Sequence, residues 1–322
     1  LRELALPFSS RLLLFTGSEE ESGMHDIQAF CAEQPMPDVS LVPDAGFPVY
    51  RGEKGILRFW AVSRRRLECV KSFAGGEAYN MVLARAEAEV CCPMAPAEGL
   101  TVDGTHVTAE GLARHAANPE GSVNAALLLC RALLEAPDVT REDRETLSTA
   151  VRFLEDCYGA GFGIENDDPD FGRLTCANGM ARLEDGRLAL SFDVRYGTGV
   201  DDAAMLQKLE RVIEDAGWTY RLHENKAGYI KPADDRFVRA LEEVYTECSG
   251  EEAHSQLQAG GTYGRFLERS YGIGAGTYRP CPFELPAGHG GCHQPDETVS
   301  LDSLLDGAAI QLCMLMRLDK ML

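Results

Sequence analysis

Three consecutive glutamates, Glu19, Glu20 and Glu21, follow the apolar run RLLLFT closely. Two like charges about 4 Å apart repel by roughly 1 kcal/mol in water and by about four times that at a protein surface, so the cluster needs an explanation. Adjacent glutamates point in different directions, so one could bind a metal ion while its neighbour acts as general base on a water molecule. The alternative is a solvated cluster at a helix start, where the helix dipole favours acids.

Other potential metal ligands stand at the end of an apolar run or among glycines. Asp44 follows the run at residues 39–42 and is either a ligand at a strand end or a turn former. His289 and His293 flank the tripeptide GGC. Their i,i+4 spacing is that of two zinc ligands on one face of a helix, but the glycines between them argue against a helix. Each histidine is therefore either a ligand or a surface residue.

A glycine-rich segment, AGGTYGR at residues 259–265, precedes a predicted helix. Backbone N–H groups and a hydroxyl at a helix N-terminus bind anions, and a tight turn that needs glycine is the alternative. For three further residues, the neighbouring sequence is also explained by a structural or solvent-exposed role. His115 could be a surface histidine, Arg195 could lie on a solvated strand face, and Asn80 is equally ambiguous. The remaining histidines are interpreted as structural: His25, His106, His223 and His254.

Composition narrows the class of partner. The 322 residues carry 51 acids and 31 bases, a net charge of −20, which argues against nucleic-acid binding and favours neutral, cationic or metal-borne partners. No apolar stretch reaches the roughly 18 residues of a membrane span, and no signal peptide opens the chain, so we expect no membrane association. Eleven cysteines without CxxC spacing indicate a reducing compartment, and therefore a cytoplasmic location.

The order of predicted elements indicates an α/β domain with a partly parallel mixed sheet, interrupted by an inserted α+β domain. The α/β domain comprises residues 1–54 and 227–322, and the insertion comprises residues 55–226. We predict a strand at 11–15, a helix at 24–33 and a strand at 39–42. The chain begins with Leu1 inside what resembles the tail of a helix, so we expect the α/β domain to be incomplete at its N-terminus.

Within the insertion, alternating segments predict antiparallel strands. The sequence NPEGSVNAALLLCRALLEA predicts a helix that starts at residues 118–120, and Asp185-Gly186 predicts a hairpin turn. A further helix is predicted at 203–216. After Pro232 we predict helices over DDRFVRALEEVYTECSG and at 301–321.

Taken in order, six motifs resemble the co-catalytic metallopeptidase family that includes dipeptidase V, carnosinase, aminoacylase and carboxypeptidase G. The dipeptidase V branch is the most similar. The resemblance extends over nearly the whole chain and rests on GSEEESGM, PDAGFPVYRGEKG, GLARHAANPEGSVNAA, FDVRY, AGGTYGR and CHQPDE.

The resemblance implies metal-dependent hydrolysis of dipeptides by a water molecule that two divalent ions, zinc or manganese, activate. It implies that Glu20 is the general base and that Glu21, Asp44 and His293 are metal ligands. The substrate is then a small peptide.

For the inserted domain, the resemblance implies a lid. Asn80 and His115 would stabilise the oxyanion, and Arg195, with Gly261 and Thr262, would hold the free carboxylate of the substrate. The insertion is long enough to resemble two shorter lids of dimeric relatives, so we expect a monomer.

Two family features have no counterpart in the sequence. The first metal histidine and the bridging aspartate lie upstream in the family, in a His-x-Asp motif and a following segment. We therefore expect this chain alone to bind metal poorly and to have little activity. The alternatives are a truncated or catalytically dead family member, and an N-acyl amino acid deacylase or carboxypeptidase of the same family.

Overall fold

A computed structural model describes residues 8–95, 99–137, 139–277, 279, 283–286, 289–290 and 296–322. The helices are α1 (His25–Glu33), α2 (Ala125–Leu134), α3 (Arg141–Leu154), α4 (Asp202–Asp215), α5 (Arg236–Ser249) and α6 (Leu301–Asp319), with short 3₁₀ turns at Glu20–Ser22, Ala160–Phe162 and Tyr263–Phe266. The strands are β1 (Ser40–Ala45), β2 (Tyr50–Glu53), β3 (Gly55–Ser63), β4 (Val70–Gly75), β5 (Arg85–Val90), β6 (Leu100–Asp103), β7 (His106–Glu110), β8 (Asp167–Asp168), β9 (Gly172–Arg173), β10 (Thr175–Glu184), β11 (Arg187–Tyr196), β12 (Trp218–Lys226), β13 (Tyr229–Ile230), β14 (Gln256–Gln258) and β15 (Ser270–Gly274).

The chain divides into two compact units. Unit 1 comprises Leu1–Glu53 and Tyr229–Leu322, and unit 2 comprises Lys54–Gly228. Among the helices of the described residues, none is both long enough and apolar enough to cross a membrane.

Unit 1 is built on a five-stranded mixed sheet in the order β1-β15-β2-β13, with β14 also paired to β2. The pairs β1–β15 and β14–β2 are parallel and the others are antiparallel, which confirms the predicted mixed sheet. Helix α5 places apolar residues at helical spacing, so Phe237, Leu241 and Val244 are buried on one face against Tyr271 of β15.

The predicted strand at residues 11–15 is wrong. These residues form no strand, and the part of the chain that the structure describes offers them no neighbouring strand. Leu14 is 85% exposed, and Leu12 and Leu13 are about half exposed. Strand propensity becomes a strand only when the backbone groups find a pairing partner, so an apolar run was insufficient here.

Unit 2 contains an eight-stranded antiparallel sheet in the order β12-β3-β11-β10-β4-β5-β7-β6. Residues alternate between its two faces. Phe59 and Phe192 are cross-strand partners and pack with α2, α3 and α4 in the main core. Arg58 and Asp193, the next pair in the register, lie on the opposite face. This face therefore carries the charged residues of β3 and β11.

The hairpin between β10 and β11 turns at Asp185-Gly186, as predicted. Asp185 has φ 49° and Gly186 has φ 79°, and Glu184 pairs with Arg187 across the turn. Two consecutive positive φ angles define a type I′ turn, whose twist matches that of the flanking strands.

The predicted start of helix α2 is wrong by about two turns. The helix begins at Ala125, because the Asn124 side chain accepts hydrogen bonds from Ala126 N and Leu127 N. Residues 118–123 instead form a turn, in which Ser122 N donates to Pro119 O, and a bridge between Val123 and Leu112. An Asn-Pro pair therefore opened a loop here, whereas a second asparagine caps the helix.

This difference gives a stability test. Asn124→Ala removes the cap and a hydrogen bond to Asn178, so we expect it to lower the free energy of unfolding by about 1–2 kcal/mol. Asn118→Ala, at an exposed turn position, should change it by less than about 0.5 kcal/mol. Urea unfolding of both variants measures the difference, and equal losses would contradict the assigned cap.

Candidate active site

The glutamate cluster of unit 1 is shaped by Asp26, a residue without an assigned role in the sequence analysis. Its carboxylate accepts hydrogen bonds from Ser18 N at 2.7 Å, from Glu19 N at 3.1 Å and from the Tyr263 hydroxyl at 2.7 Å. Desolvation opposes ionisation, but these hydrogen bonds and one from Ile27 N outweigh it and lower the pKa of Asp26 to about 2. The charged carboxylate thus ties the glutamate segment to the glycine-rich segment.

Gly17 makes room for this arrangement. A Cβ atom at position 17 would lie 2.0 Å from the Tyr263 hydroxyl oxygen and 2.3 Å from Asp26 Oδ2. Only glycine leaves space for the hydrogen bond between these two side chains. The first glycine of GSEEESGM is therefore required by packing.

Glu20 and Asp44 lie in contact and share a hydrogen bond between their side chains. Glu20 opens the 3₁₀ turn that follows Glu19, and Asp44 lies exposed near the end of β1. Burial, the charges of Asp44 and Glu21 and the hydrogen bond to Asp44 together raise the pKa of Glu20 to about 7. The structure therefore brings together the predicted base and one predicted metal ligand, with Glu21 adjacent.

The paired carboxylates of Glu20 and Asp44 are of the type that a divalent cation prefers. Each of them is a hard oxygen donor, and a cation among them would relieve the repulsion that raises the pKa of Glu20. Among the residues that the structure describes, no three His, Cys, Asp or Glu side chains are grouped closely enough to hold a metal ion. The predicted ligand His293 lies outside the described residues.

The raised pKa of Glu20 gives a pH test on protein kept metal-free with a chelator. A carboxyl group whose pKa rises from 4.5 to about 7 on folding stabilises the fold below pH 4.5, and this contribution is lost as the pH rises through 7. Glu20→Gln has no such loss, so its melting temperature should exceed that of the wild type by about 2–4 °C at pH 8 and should not exceed it at pH 4.5. A difference that is independent of pH would contradict the assignment.

The glycine-rich segment lies against a buried acid of β2. Thr262 begins the 3₁₀ turn Tyr263–Phe266 rather than the predicted longer helix, and its hydroxyl accepts a hydrogen bond from Gly264 N. The Thr262 hydroxyl donates to Glu53 Oε1 at 2.6 Å, and Thr262 N donates to Glu53 Oε2 at 3.2 Å. Thr262 is only 4% exposed, whereas Gly261 is half-buried. The donors of Thr262 thus serve a carboxylate of the protein itself.

Arg195 of unit 2 is held by an aspartate two residues earlier on β11. Arg195 Nε donates to Asp193 Oδ1 at 2.5 Å, and its Nη2 donates to Asp193 Oδ2 at 3.1 Å. Arg58 Nε donates to the same carboxylate at 2.8 Å. Asp193 is completely buried and the Arg195 side chain is 3% exposed. The predicted carboxylate-binding arginine therefore has a fixed orientation.

The backbone segments that carry Asn80 and His115 in unit 2 pair with each other. Ala116 N donates to Asn80 O at 2.7 Å, and Met81 and His115 form an antiparallel bridge. His115 Nδ1 accepts a hydrogen bond from Ala117 N at 3.2 Å, so a neutral imidazole carries its proton on Nε2. Nε2–H is then a donor of the kind that an oxyanion needs.

Three residues of the site, Asp26, Glu53 and Tyr263, were not predicted individually from the sequence. Each is joined to its partner over a long sequence separation, as in the contact between Tyr263 and Asp26, and no local pattern marks it. Glu53 lies within the motif PDAGFPVYRGEKG, and this was the only sequence signal for it. His289, for which the sequence allows either a ligand or a surface role, pairs with Asp296 at 2.7 Å.

Comparison with known proteins places these features in a family. The model of peptidase family M20/M25/M40 matches residues 7–317. YtjP of Bacillus subtilis is 26% identical over 334 residues, which cover 96% of this chain and 70% of YtjP. The Beta-Ala-Xaa dipeptidase of Lactobacillus delbrueckii is 26% identical over 333 residues, which cover 96% of this chain and 69% of that protein.

The same fold is found in the aminoacylhistidine dipeptidase of Vibrio alginolyticus, with a TM-score of 0.53 and 14% identity over 92% of this chain and 69% of that one. Several relatives from Staphylococcus are 25% identical, with matches that cover 85% of this chain and 64% of their own length. Because the family match extends over nearly all of the sequence, the chain belongs to peptidase family M20/M25/M40.

Proposed function

We propose that the protein hydrolyses dipeptides in a metal-dependent reaction. The observation that carries the proposal is the contact between Glu20 and Asp44, with Glu21 adjacent and the pKa of Glu20 raised to about 7. A carboxyl group that is half-buried beside other carboxylates can accept a proton and give it up again, as general acid–base catalysis requires. The name of the Beta-Ala-Xaa dipeptidase, a relative over 96% of this chain, supports the substrate class.

In this mechanism Glu20 takes a proton from the attacking water, whose oxygen bonds to the scissile carbonyl carbon. Glu20 then gives the proton to the nitrogen of the leaving amine as the C–N bond breaks. Glu21, Asp44 and His293 would hold zinc or manganese ions, which supply positive charge that polarises the carbonyl group when they are bound.

The remaining assigned residues recognise the substrate or its oxyanion. Asn80 and the Nε2–H of His115 are proposed to stabilise the oxyanion, and the pairing of the backbone segments that carry them supports the proposal. Arg195 and Gly261 are proposed to bind the free carboxylate. Thr262 contributes by holding the glycine-rich segment, because its own donors are directed to Glu53. We propose that the protein is a cytoplasmic monomer.

The test is hydrolysis of a substrate panel by the intact gene product, stripped with a chelator and then supplied with zinc or manganese. The panel contains α-linked dipeptides, β-alanyl dipeptides, tripeptides and N-acetyl amino acids. We expect cleavage of dipeptides that returns on addition of metal. Release of acetate without dipeptide cleavage would favour a deacylase of the same family, and no turnover with any substrate would favour a catalytically dead member.

A further inference from the structure

Glu53 is a buried acid at the end of β2, next to the glycine-rich segment. Its side chain is 1% exposed, so it cannot contact a substrate directly. Its backbone is fixed on both sides of the strand, because Glu53 pairs with Tyr229 of β13 and with Gln258 of β14. The carboxylate therefore has a defined position in the sheet.

Donors from several segments converge on this carboxylate. Besides the two hydrogen bonds from Thr262, it accepts one from Gln258 Nε2 at 3.2 Å and one from Arg265 Nη2 at 3.0 Å, and the Tyr229 hydroxyl lies 3.4 Å away. The Arg265 side chain is 3% exposed. Arg265 offsets the charge of Glu53, so the buried acid does not present a net negative charge to an incoming anion.

These hydrogen bonds anchor both ends of a tripeptide. Gln258 precedes the sequence Ala-Gly-Gly and Thr262 follows it, and both residues are held by Glu53. Fixing the backbone of a residue costs about 1–2 kcal/mol in entropy. With its two ends anchored on one rigid group, the tripeptide loses part of this freedom on folding rather than on ligand binding.

Gly260, in the middle of this segment, is not required by the fold. A Cβ atom there would meet nothing within 4 Å, and its φ lies outside the left-handed region. Neither a turn nor packing therefore demands glycine at position 260. Open space over a glycine backbone permits close approach of a ligand to the N–H groups.

We propose that Glu53 is a positioning residue that holds Gln258 and Thr262 so that the backbone N–H groups of Gly260 and Gly261 bind the free α-carboxylate of the substrate. The proposal rests on the proposed dipeptidase function and adds a residue that acts through the loop. It accounts for the position of a buried acid beside a segment that is proposed to bind an anion: the acid shapes the segment from its buried side.

The test is the preference of the intact gene product for a dipeptide over the same dipeptide amidated at its C-terminus. We expect the wild type to prefer the free acid by about 100-fold or more in kcat/KM. Glu53→Gln should lower kcat/KM for the free acid by about 10- to 100-fold, the loss expected for hydrogen bonds to a charged group, and leave the amide nearly unchanged. The preference of the variant for the free acid over the amide should therefore be largely lost.

Asp143→Asn is the matched control. Asp143 is a completely buried carboxylate of unit 2 that accepts hydrogen bonds from Glu68 N and Cys69 N. This variant should lower the melting temperature and reduce the rates with both substrates in proportion, so the preference is retained. If Glu53→Gln behaves in the same way, Glu53 is merely structural and the proposal is overturned.

Two further results keep the test decisive. If Glu53→Gln does not fold, Gln258→Met removes one anchor without altering the buried charge and should still reduce the preference about tenfold. An unchanged preference in that variant contradicts the proposal. A wild type that cleaves the dipeptide and its amide equally overturns carboxylate recognition itself, a failure of the proposed function that is distinct from a failure of Glu53 alone.

Discussion

Glu20→Gln is expected to lower kcat for dipeptides by about 10²- to 10⁴-fold, the usual contribution of a general base. Glutamine keeps the size of the side chain and can accept a hydrogen bond, but it cannot take a proton from water. Because glutamine can keep the contact with Asp44, the variant removes proton transfer and leaves the packing of the side chain intact. Steady-state kinetics on the metal-loaded gene product measure the effect.

Glu19→Gln is the control for this prediction. Glu19 carries the same chemical group one residue earlier, and its carboxylate pairs with the exposed His25 at 3.2 Å. We expect kcat to change less than about threefold, since exposed ion pairs contribute little. Metal content, measured by elemental analysis, should remain that of the wild type in both variants. Activity that survives in Glu20→Gln would remove Glu20 as the base.

The second large effect is expected in unit 2. Asp193→Ala should lower the free energy of unfolding by about 3–5 kcal/mol, because it removes the buried carboxylate that both Arg195 and Arg58 contact. KM for dipeptides should rise as well, since the Arg195 guanidinium loses the group that orients it. Urea unfolding gives the first value and steady-state kinetics give the second.

Glu224→Ala provides the comparison. Glu224 pairs with Arg58 at 2.6 Å and with Lys226 at 2.9 Å, but its side chain is 20% exposed. Its loss leaves Asp193 bound to both arginines and should cost about 1 kcal/mol or less. If the two variants are equally stable, the buried carboxylate is not the centre of this network.

Much of the fold could be predicted because its signals are local. The Asp185-Gly186 turn and the apolar spacing of α5 each depend on residues close in sequence. The helix start at Asn124 was missed because Asn118 offers the same local signal, and the choice depends on which asparagine reaches free N–H groups. The apolar run at residues 11–15 predicted a strand, but pairing partners decide whether a strand forms.

In the candidate site, too, residues with a local sequence signal could be predicted, and residues defined by long-range contacts could not. The glutamate pair and Asp44 could be identified from motifs, because sequence order and residue type carried the resemblance. Glu53 and Asp26 could not, since their roles come from contacts with Thr262 and Tyr263, more than 200 positions away in the chain. A single acid has no local pattern that distinguishes a buried anchor from a solvated side chain.

The pairing of the backbone segments that carry Asn80 and His115 affects when the entropy cost of ordering these two residues arises. The backbone bridge between their segments lies wholly within unit 2, so the two donors belong to one cooperative folding unit. Bringing them together costs conformational entropy when that unit folds, and little of this cost recurs with each substrate molecule. Any motion of unit 2 as a body would carry the two donors together and keep their spacing constant.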